Sequence, residues 1–327
     1  MQAAVVKAAG EGPVLAEFKE PVAAEGLAVI TVSASALSPL SKARSSGRHY
    51  SSGSTFPAVA GVDGIGRTAD GKRVYFALPE APFGALAEKC LVEARRCIAV
   101  PEALDDITAA AIANPGMSAM AALAERAHLE RGETVLVNGA TGSAGTMAVQ
   151  LAKYLGAGKV IATGRNKAEL EEARSLGADV VIPFAAELDR QAADAYEEAL
   201  KAEFAHGVNV VLDYLWGKSA ETIIVAIAKA AEDATPVRFV HVGGASGEET
   251  IALPGAALRS SAIELMGSGL KSVPMAKLME SINRVFEAAI PAKLQIATKI
   301  MPLAEIEAAW KLPGKPRVVI TMPQRGA

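Results

Sequence analysis

The residues with most to offer chemically are glycines set between a strand and a helix. Residues 135–150 read Val-Leu-Val-Asn-Gly-Ala-Thr-Gly-Ser-Ala-Gly-Thr-Met-Ala-Val-Gln, an apolar run, a glycine turn and an amphipathic helix start in direct succession. Each piece has a physical task in that order. Gly142 lets the backbone approach a pyrophosphate, and Gly145 lets the helix lie close against the strand. The helix start at Ser143, Ala144 and Gly145 offers backbone N–H groups and the positive end of the helix dipole to the phosphates. An ordinary tight turn is the alternative, but strand, turn and helix agree on a dinucleotide site.

The next strand decides which dinucleotide. An acidic residue roughly 20 residues on would hold a ribose 2′-hydroxyl. Here the run Lys159–Thr163 leads into Gly164-Arg165-Asn166-Lys167, with Gly164 19 residues after Gly145. Gly164 removes the carboxylate that would repel a 2′-phosphate, and Arg165 can pair with that phosphate bidentately. Asn166 and Lys167 add donors. NADPH is therefore the expected cofactor.

These residues need a doubly wound parallel sheet to position them. Thr134–Asn138, Val160–Thr163, Val180–Ile182, Val208–Asp213 and Arg238–Val242 are short Val/Ile-rich runs suited to buried parallel strands. Helical patterns alternate with them at 144–155, Lys167–Leu176, Leu188–Phe204 and Ser219–Ala231, which gives an α/β fold. Before them, residues 1 to about 115 read as short strands broken by Gly, Pro and Ser, an antiparallel β domain. The tail has a helix near Ala276–Ala289, a strand near Leu294–Met301, a short helix near Ala304–Trp310 and a last strand at Arg317–Thr321. It is expected to complete the first domain, giving a β domain of 1–116 plus 269–327 and a dinucleotide-binding domain of 117–268.

Composition excludes several function classes. The 327 residues carry 33 Lys+Arg against 36 Asp+Glu, a net charge of −3 without the basic footprint of a nucleic-acid binder. Two cysteines (Cys90, Cys97) and four histidines cannot build a disulfide scaffold or a four-cysteine zinc site. The start shows no signal-peptide pattern. The charge-free stretch Ile107–Ala124 is Ala-rich and is expected to break at Asn114-Pro115-Gly116, which argues against a membrane span. A soluble, cytoplasmic protein is expected.

Several motifs together resemble the medium-chain dehydrogenase/reductase superfamily, specifically its zinc-free quinone oxidoreductase branch, over essentially the whole chain. They are Ala60-Gly-Val-Asp-Gly-Ile-Gly66, Phe83-Gly-Ala-Leu-Ala-Glu88, Ala110–Ala119, the 139–145 turn, Leu212-Asp-Tyr-Leu-Trp-Gly217 and His241-Val-Gly-Gly-Ala-Ser-Gly247. The resemblance implies a discontinuous GroES-like β domain clasping a Rossmann domain, with the active site in the cleft between them. It implies nicotinamide contacts at Val242, Gly243, Gly244, Gly267 and Ser268, further cofactor contacts at Ser38 and Ser118, and a homodimer through the sheet edge near Arg238–Val242 and Ile263–Gly267. Where zinc-dependent members carry a cysteine this chain reads Ala36-Leu-Ser-Pro-Leu-Ser41, and the His-Glu position reads Val62-Asp63. The expected site thus has no metal.

Without a Lewis acid, nothing stabilises the alkoxide of a plain alcohol. A quinone or an α,β-unsaturated carbonyl instead spreads the incoming charge onto its own oxygen. The expected reaction is hydride transfer to such an acceptor, with Tyr50 of the Arg44–Tyr50 loop as proton donor, assisted by His49 or Arg48, or with solvent as the proton source. Competing readings are a zinc-type alcohol dehydrogenase relative and a non-catalytic protein that only binds NADPH. Asp63, Asp213 and His241 read as structural residues.

Overall fold

The structure is a computed structural model that describes residues 1–47, 55–184 and 190–323. Its contacts divide the chain into two units, one of residues 1–114 with 296–327 and one of residues 115–295.

The second unit is built on a six-stranded sheet in the order Val180–Pro183, Lys159–Gly164, Thr134–Asn138, Val210–Asp213, Val237–His241, Ile263–Gly267. Every pairing is parallel. The central strands are apolar on both faces because helices cover both, and Val210–Asp213 is buried throughout. The helix Ser143–Tyr154 buries Met147, Ala148, Leu151 and Ala152. Asn166 caps the helix Lys167–Ser175, its side chain accepting from the amides of Ala168 and Glu169. The chain winds outward from Thr134–Asn138 to one edge, then returns to begin again at Val210–Asp213 beside it. Those two strands are a topological switch point, and all six carboxyl ends share one edge of the sheet.

Two features differ from the sequence expectation. The helix Met275–Ala289 lies in the parallel-sheet unit, so the division falls at 295/296 instead of near 269. Its anchors are remote in sequence. A Cβ on Gly116 would stand 2.6 Å from Cγ1 of Val285, and the Gln150 amide exchanges two hydrogen bonds with the backbone of Gln295 at 2.9 and 2.8 Å. The second difference is that the helix Asp106–Met120 runs straight through Asn114-Pro115-Gly116 and continues as a π-helical turn over Ala121–Arg126. Residues 109–113 and 119–123 are fully buried, and that burial outweighs the hydrogen bond lost at Pro115. Among the described residues, Asp106–Arg126 is the one helix long and apolar enough to cross a membrane, and 67% of its apolar window is buried inside the protein.

The first unit holds a seven-stranded sheet and a three-stranded one. Leu27–Ala36 is its long central strand, pairing antiparallel with Asp63–Thr68, Lys89–Glu93 and the C-terminal Arg317–Thr321. The pairing is not antiparallel throughout, since Thr298–Pro302 runs parallel to Arg317–Thr321. Residues from both ends of the chain, among them Ile30, Phe76, Leu86, Leu303 and Ile320, share one apolar core.

Candidate functional site

The carboxyl edge of the parallel sheet collects most of the residues singled out by sequence. Gly139 ends the central strand with φ +89°, a conformation that favours glycine. Gly142 is the N-cap of Ser143–Tyr154. The amide of Thr146 is bonded to the Gly142 carbonyl at 2.8 Å, so the amides of 143–145 stand ahead of the helical ladder. A Cβ on Gly145 would lie 2.6 Å from Cα of Ala140 and closer still to the Gly139 carbonyl, so this position accepts only glycine. Gly142 is different. A Cβ there would meet only the Gly139 oxygen, at 3.8 Å, so nothing inside the protein demands its glycine. An open cradle in front of a helix N-terminus fits a phosphate of the cofactor.

At the end of the neighbouring strand, a Cβ on Gly164 would stand 2.8 Å from Cγ2 of Thr141, so this glycine seats the strand against the turn. Arg165, Asn166 and Lys167 are exposed. The amide oxygen of Asn166 is engaged in capping, at 3.0 and 3.3 Å from two amides, which leaves its NH2 group for a ligand. Arg165 lines a groove of about 600 Å³ together with Phe184, Leu215, Trp216, Lys218 and Ser246. Glu197, Glu221 and Glu248 line it too, and Lys218 is paired with Glu221, so among the described residues Arg165 is the cation of this wall left to meet a phosphate.

The loops after the next two strands are zipped together. Val242 and Gly243 donate their amides to the Asp213 carbonyl at 2.7 and 3.3 Å, and Ala245 donates to Tyr214 at 3.0 Å. Ser268 donates its amide to the His241 carbonyl at 2.9 Å, and Arg126 Nε donates to Gly267 at 2.8 Å. Ser118, on the Asp106–Met120 helix, turns its hydroxyl onto the Pro115 carbonyl at 2.8 Å.

Beneath these loops lies a polar network in which Asp213 and His241, expected as separate structural residues, are bonded to each other and to Asn138. Asn138 is fully buried and uses its whole amide: Nδ2 donates to Asp213 Oδ1 at 2.8 Å and to Ser219 Oγ at 3.0 Å, and Oδ1 accepts from Thr163 Oγ1 at 2.8 Å. The Asp213 carboxylate also accepts the amides of Leu215 and Trp216, each at 3.1 Å, and Nδ1–H of His241 at 2.9 Å. Trp216 is held at φ +64°, ψ −162°, a conformation rare outside glycine, with its ring 4.4 Å from the imidazole of His241. Strain of this kind persists only where neighbours over-determine it. His241 retains 36% side-chain exposure, so it is a satisfied residue at a rim instead of a core histidine.

In the first unit, Ser38 is buried and caps the helix Pro39–Ser45, its Oγ accepting the Ser41 amide at 3.0 Å. Tyr50, with Arg48 and His49, lies outside the described residues. Asp63, Tyr75 and Arg317 are buried together: Tyr75 donates its hydroxyl to Asp63 Oδ2 at 3.0 Å, while among the described residues Asp63 Oδ1 and two nitrogens of Arg317 have no hydrogen-bond partner. Burial pushes the Asp63 carboxyl up to about 6, against the pull of Arg317 and of the Tyr75 hydrogen bond. Burial also pushes the Cys97 thiol up to about 11 and Cys90 well above its ordinary value, so neither offers a thiolate at neutral pH.

A glycine turn and an open helix start at the switch point of a doubly wound sheet, coupled to a β unit made from both chain ends, define a nucleotide-dependent dehydrogenase/reductase architecture. Comparisons with known proteins agree. Residues 144–284 match the family model described as zinc-binding dehydrogenase. A probable NADPH-dependent quinone reductase of Emericella nidulans is 30% identical over 220 residues, 64% of this chain and 59% of that protein. The chloroplastic NADPH-dependent alkenal/one oxidoreductase of Arabidopsis thaliana is 31% identical over 199 residues, 56% of this chain and 51% of that protein. The chain thus spans little more than half the length of these curated relatives. The solved quinone oxidoreductase of Thermus thermophilus superposes with a TM-score of 0.78 at 25% identity, covering 98% of this chain and 100% of that one. The chain is thus similar to zinc-binding dehydrogenases over part of its length and to NADPH-dependent quinone and alkenal/one reductases, and it shares the fold of a solved quinone oxidoreductase.

Proposed function

We propose that the chain is an NADPH-dependent oxidoreductase that delivers a hydride to a quinone or an α,β-unsaturated carbonyl compound. One observation carries this reading: an open glycine at the helix start stands beside a strand that ends in glycine and an exposed arginine instead of an acid. When bound, the reduced nicotinamide supplies the two electrons, as hydride, to the electrophilic carbon of the acceptor. The chain supplies binding and orientation. Gly142 and the amides of Ser143, Ala144 and Gly145 receive the pyrophosphate. Gly164 makes room for the 2′-phosphate, and Arg165, Asn166 and Lys167 hold it. Val242, Gly243, Gly244, Gly267 and Ser268 form the floor for the nicotinamide half, with Ser38 and Ser118 as further contacts.

The proton goes to the acceptor oxygen, or to the carbon beside the carbonyl, from the Tyr50 hydroxyl or from solvent. The chemistry proposed is metal-free, because the acceptor's own oxygen takes the developing charge. The residue at the position of the zinc members' acid, Asp63, is committed to Tyr75. The working form proposed is a soluble, cytoplasmic homodimer joined through Ile263–Gly267. Among the described residues that edge strand pairs only with Val237–His241, and it exposes Leu265.

The test is oxidation of NADPH and of NADH against a panel of ortho-quinones, para-quinones and enones. Turnover with NADPH preferred is expected. A preference for NADH overturns the argument from Arg165, and tight NADPH binding without turnover overturns the enzymatic reading. Tyr50→Phe is expected to lower turnover by about a hundredfold or more if the hydroxyl is the donor, and unchanged turnover assigns the proton to solvent. Light scattering on the eluted protein reads the dimer directly.

A further inference from the structure

The first residue after the switch-point strand Val210–Asp213 is Tyr214. Its amide donates to the Asn138 carbonyl at 3.0 Å, its carbonyl accepts the Ala245 amide at 3.0 Å, and a Cβ on Gly139 would lie 3.4 Å from its own Cβ. Its backbone therefore ties the glycine turn to the 242–245 loop, across the crevice where a doubly wound sheet takes its ligand. The side chain has a separate feature. The residue is buried, and among the described residues its hydroxyl oxygen has no partner at hydrogen-bonding geometry. A tyrosine hydroxyl taken out of water ordinarily finds a partner, and one left without destabilises the fold that buries it.

The group beside it is the hydroxyl of Ser118, which belongs to the same unit of the chain. Burial raises the Tyr214 pKa, and Ser118 is the neighbour acting the other way. Ser118 has turned its own proton onto the Pro115 carbonyl at 2.8 Å, three residues back on its helix. It is half-buried while Tyr214 is covered, so Ser118 is the end of this pair that a ligand can meet. When Ser118 swings its proton from Pro115 to a ligand oxygen, its Oγ keeps lone pairs to accept the Tyr214 O–H. The two bonds then run in one direction, from Tyr214 to Ser118 to the ligand, and each strengthens the other. We propose that Tyr214 is a positioning residue that acts through Ser118, aiming the Ser118 hydroxyl at the carboxamide oxygen of the nicotinamide. This rests on the cofactor reading above, in which Ser118 is a contact.

Adenosine 2′,5′-bisphosphate shares the adenine and 2′-phosphate of the cofactor but has no nicotinamide, so comparing it with NADPH isolates the nicotinamide half. Tyr214→Phe removes the oxygen and keeps the ring. Without ligand the variant is expected to melt at the wild-type temperature or a few degrees higher, because an unbonded buried hydroxyl is gone. Its Kd for NADPH, read by fluorescence titration, is expected to rise about tenfold, the worth of one hydrogen bond. Its Kd for the bisphosphate, read calorimetrically, is expected to stay unchanged. Ser118→Ala is expected to lose at least as much for NADPH. The double variant should lose no more than Ser118→Ala alone, because Tyr214 reaches the cofactor only through Ser118.

A lower melting temperature in Tyr214→Phe overturns the proposal, since the hydroxyl is then already bonded within the fold. An unchanged Kd for NADPH, equal losses for the two ligands, or losses that add in the double variant overturn it as well. A wild type that binds NADPH no more tightly than the bisphosphate is a different failure. It removes the nicotinamide reading itself, and this proposal with it.

Discussion

Asp63 offers a measurement in which the structure fixes both sign and size. Its carboxyl is fully buried beside Tyr75 and Arg317, and burial moves it from 3.8 to about 6. Between those values the folded chain holds a proton that the unfolded chain has released, so stability falls as pH rises. The contribution is fully present below about pH 4, is lost through about pH 6 and stays flat above. A displacement of that size corresponds to about 3 kcal/mol. Asp63→Asn keeps an oxygen for the Tyr75 hydroxyl but has no proton to lose. Chemical unfolding of both proteins at pH 4, 5, 6 and 7.5 is therefore expected to give a stability difference that shifts toward the variant by about 3 kcal/mol. Taking the difference cancels every other titrating group, and any constant offset from Arg317 drops out of the slope. Carbon NMR of the Asp63 carboxyl should give a midpoint near 6 directly. A difference that is flat with pH, or that moves toward wild type as pH rises, refutes the reasoning and means that Arg317 governs the carboxyl instead of burial.

Other perturbations separate packing from binding. Gly142→Ala places a methyl in open space, so the melting temperature should hold while NADPH affinity, read by fluorescence titration, falls at least tenfold. Gly145→Ala drives a methyl into the turn backbone and should lose stability and binding together, the former visible by thermal unfolding without any ligand. Arg165→Gln is expected to weaken NADPH about tenfold to a hundredfold and leave NADH alone, because only the 2′-phosphate contact is removed; comparing KM for the two cofactors checks this. Asp213→Ala strips the acceptor from Asn138, Leu215, Trp216 and His241 at once and should destabilise the fold by about 3–5 kcal/mol in denaturant melts.

What could be read from the sequence follows from what is local. The strand-turn-helix over 134–154 and the succession of buried strands were legible, because apolar runs and glycine spacing are properties of neighbouring residues. The packing task of Gly145 was legible for the same reason, and the structure gives it a clash distance. Pro115 was misleading. A proline signals a break only when tertiary burial does not compensate, and the packing around residues 109–123 is not written in the local pattern. The division at 295 was hidden because it rests on partners such as Gln150 with Gln295, 145 residues apart. Asp63 and Arg317 lie at opposite ends of the chain and meet only through sheet order, so their coupling could not be anticipated.

The same distinction explains why Asn138, Thr163, Asp213 and His241 were each visible yet their joint role was not. Each lies at the end of its strand or one residue short of it, and the four strands are consecutive neighbours across the sheet: Lys159–Gly164, Thr134–Asn138, Val210–Asp213, Val237–His241. Parallel register places these side chains at one level, where hydrogen bonds of 2.8–2.9 Å link them across the strands. The loops proposed to touch the cofactor after Thr134–Asn138, Lys159–Gly164 and Val237–His241 leave their strands within a residue or two of this network, so the network sets the direction in which those loops depart. A row of strand ends joined by fully satisfied polar groups is stiff, since moving one member leaves a neighbour buried and unpaired. The strained backbone of Trp216 is tolerable only on such a base, because Asp213 grips its amide with both carboxylate oxygens. The cofactor edge is thus organised by the fold before any ligand arrives, and binding energy need not be spent on ordering those loops.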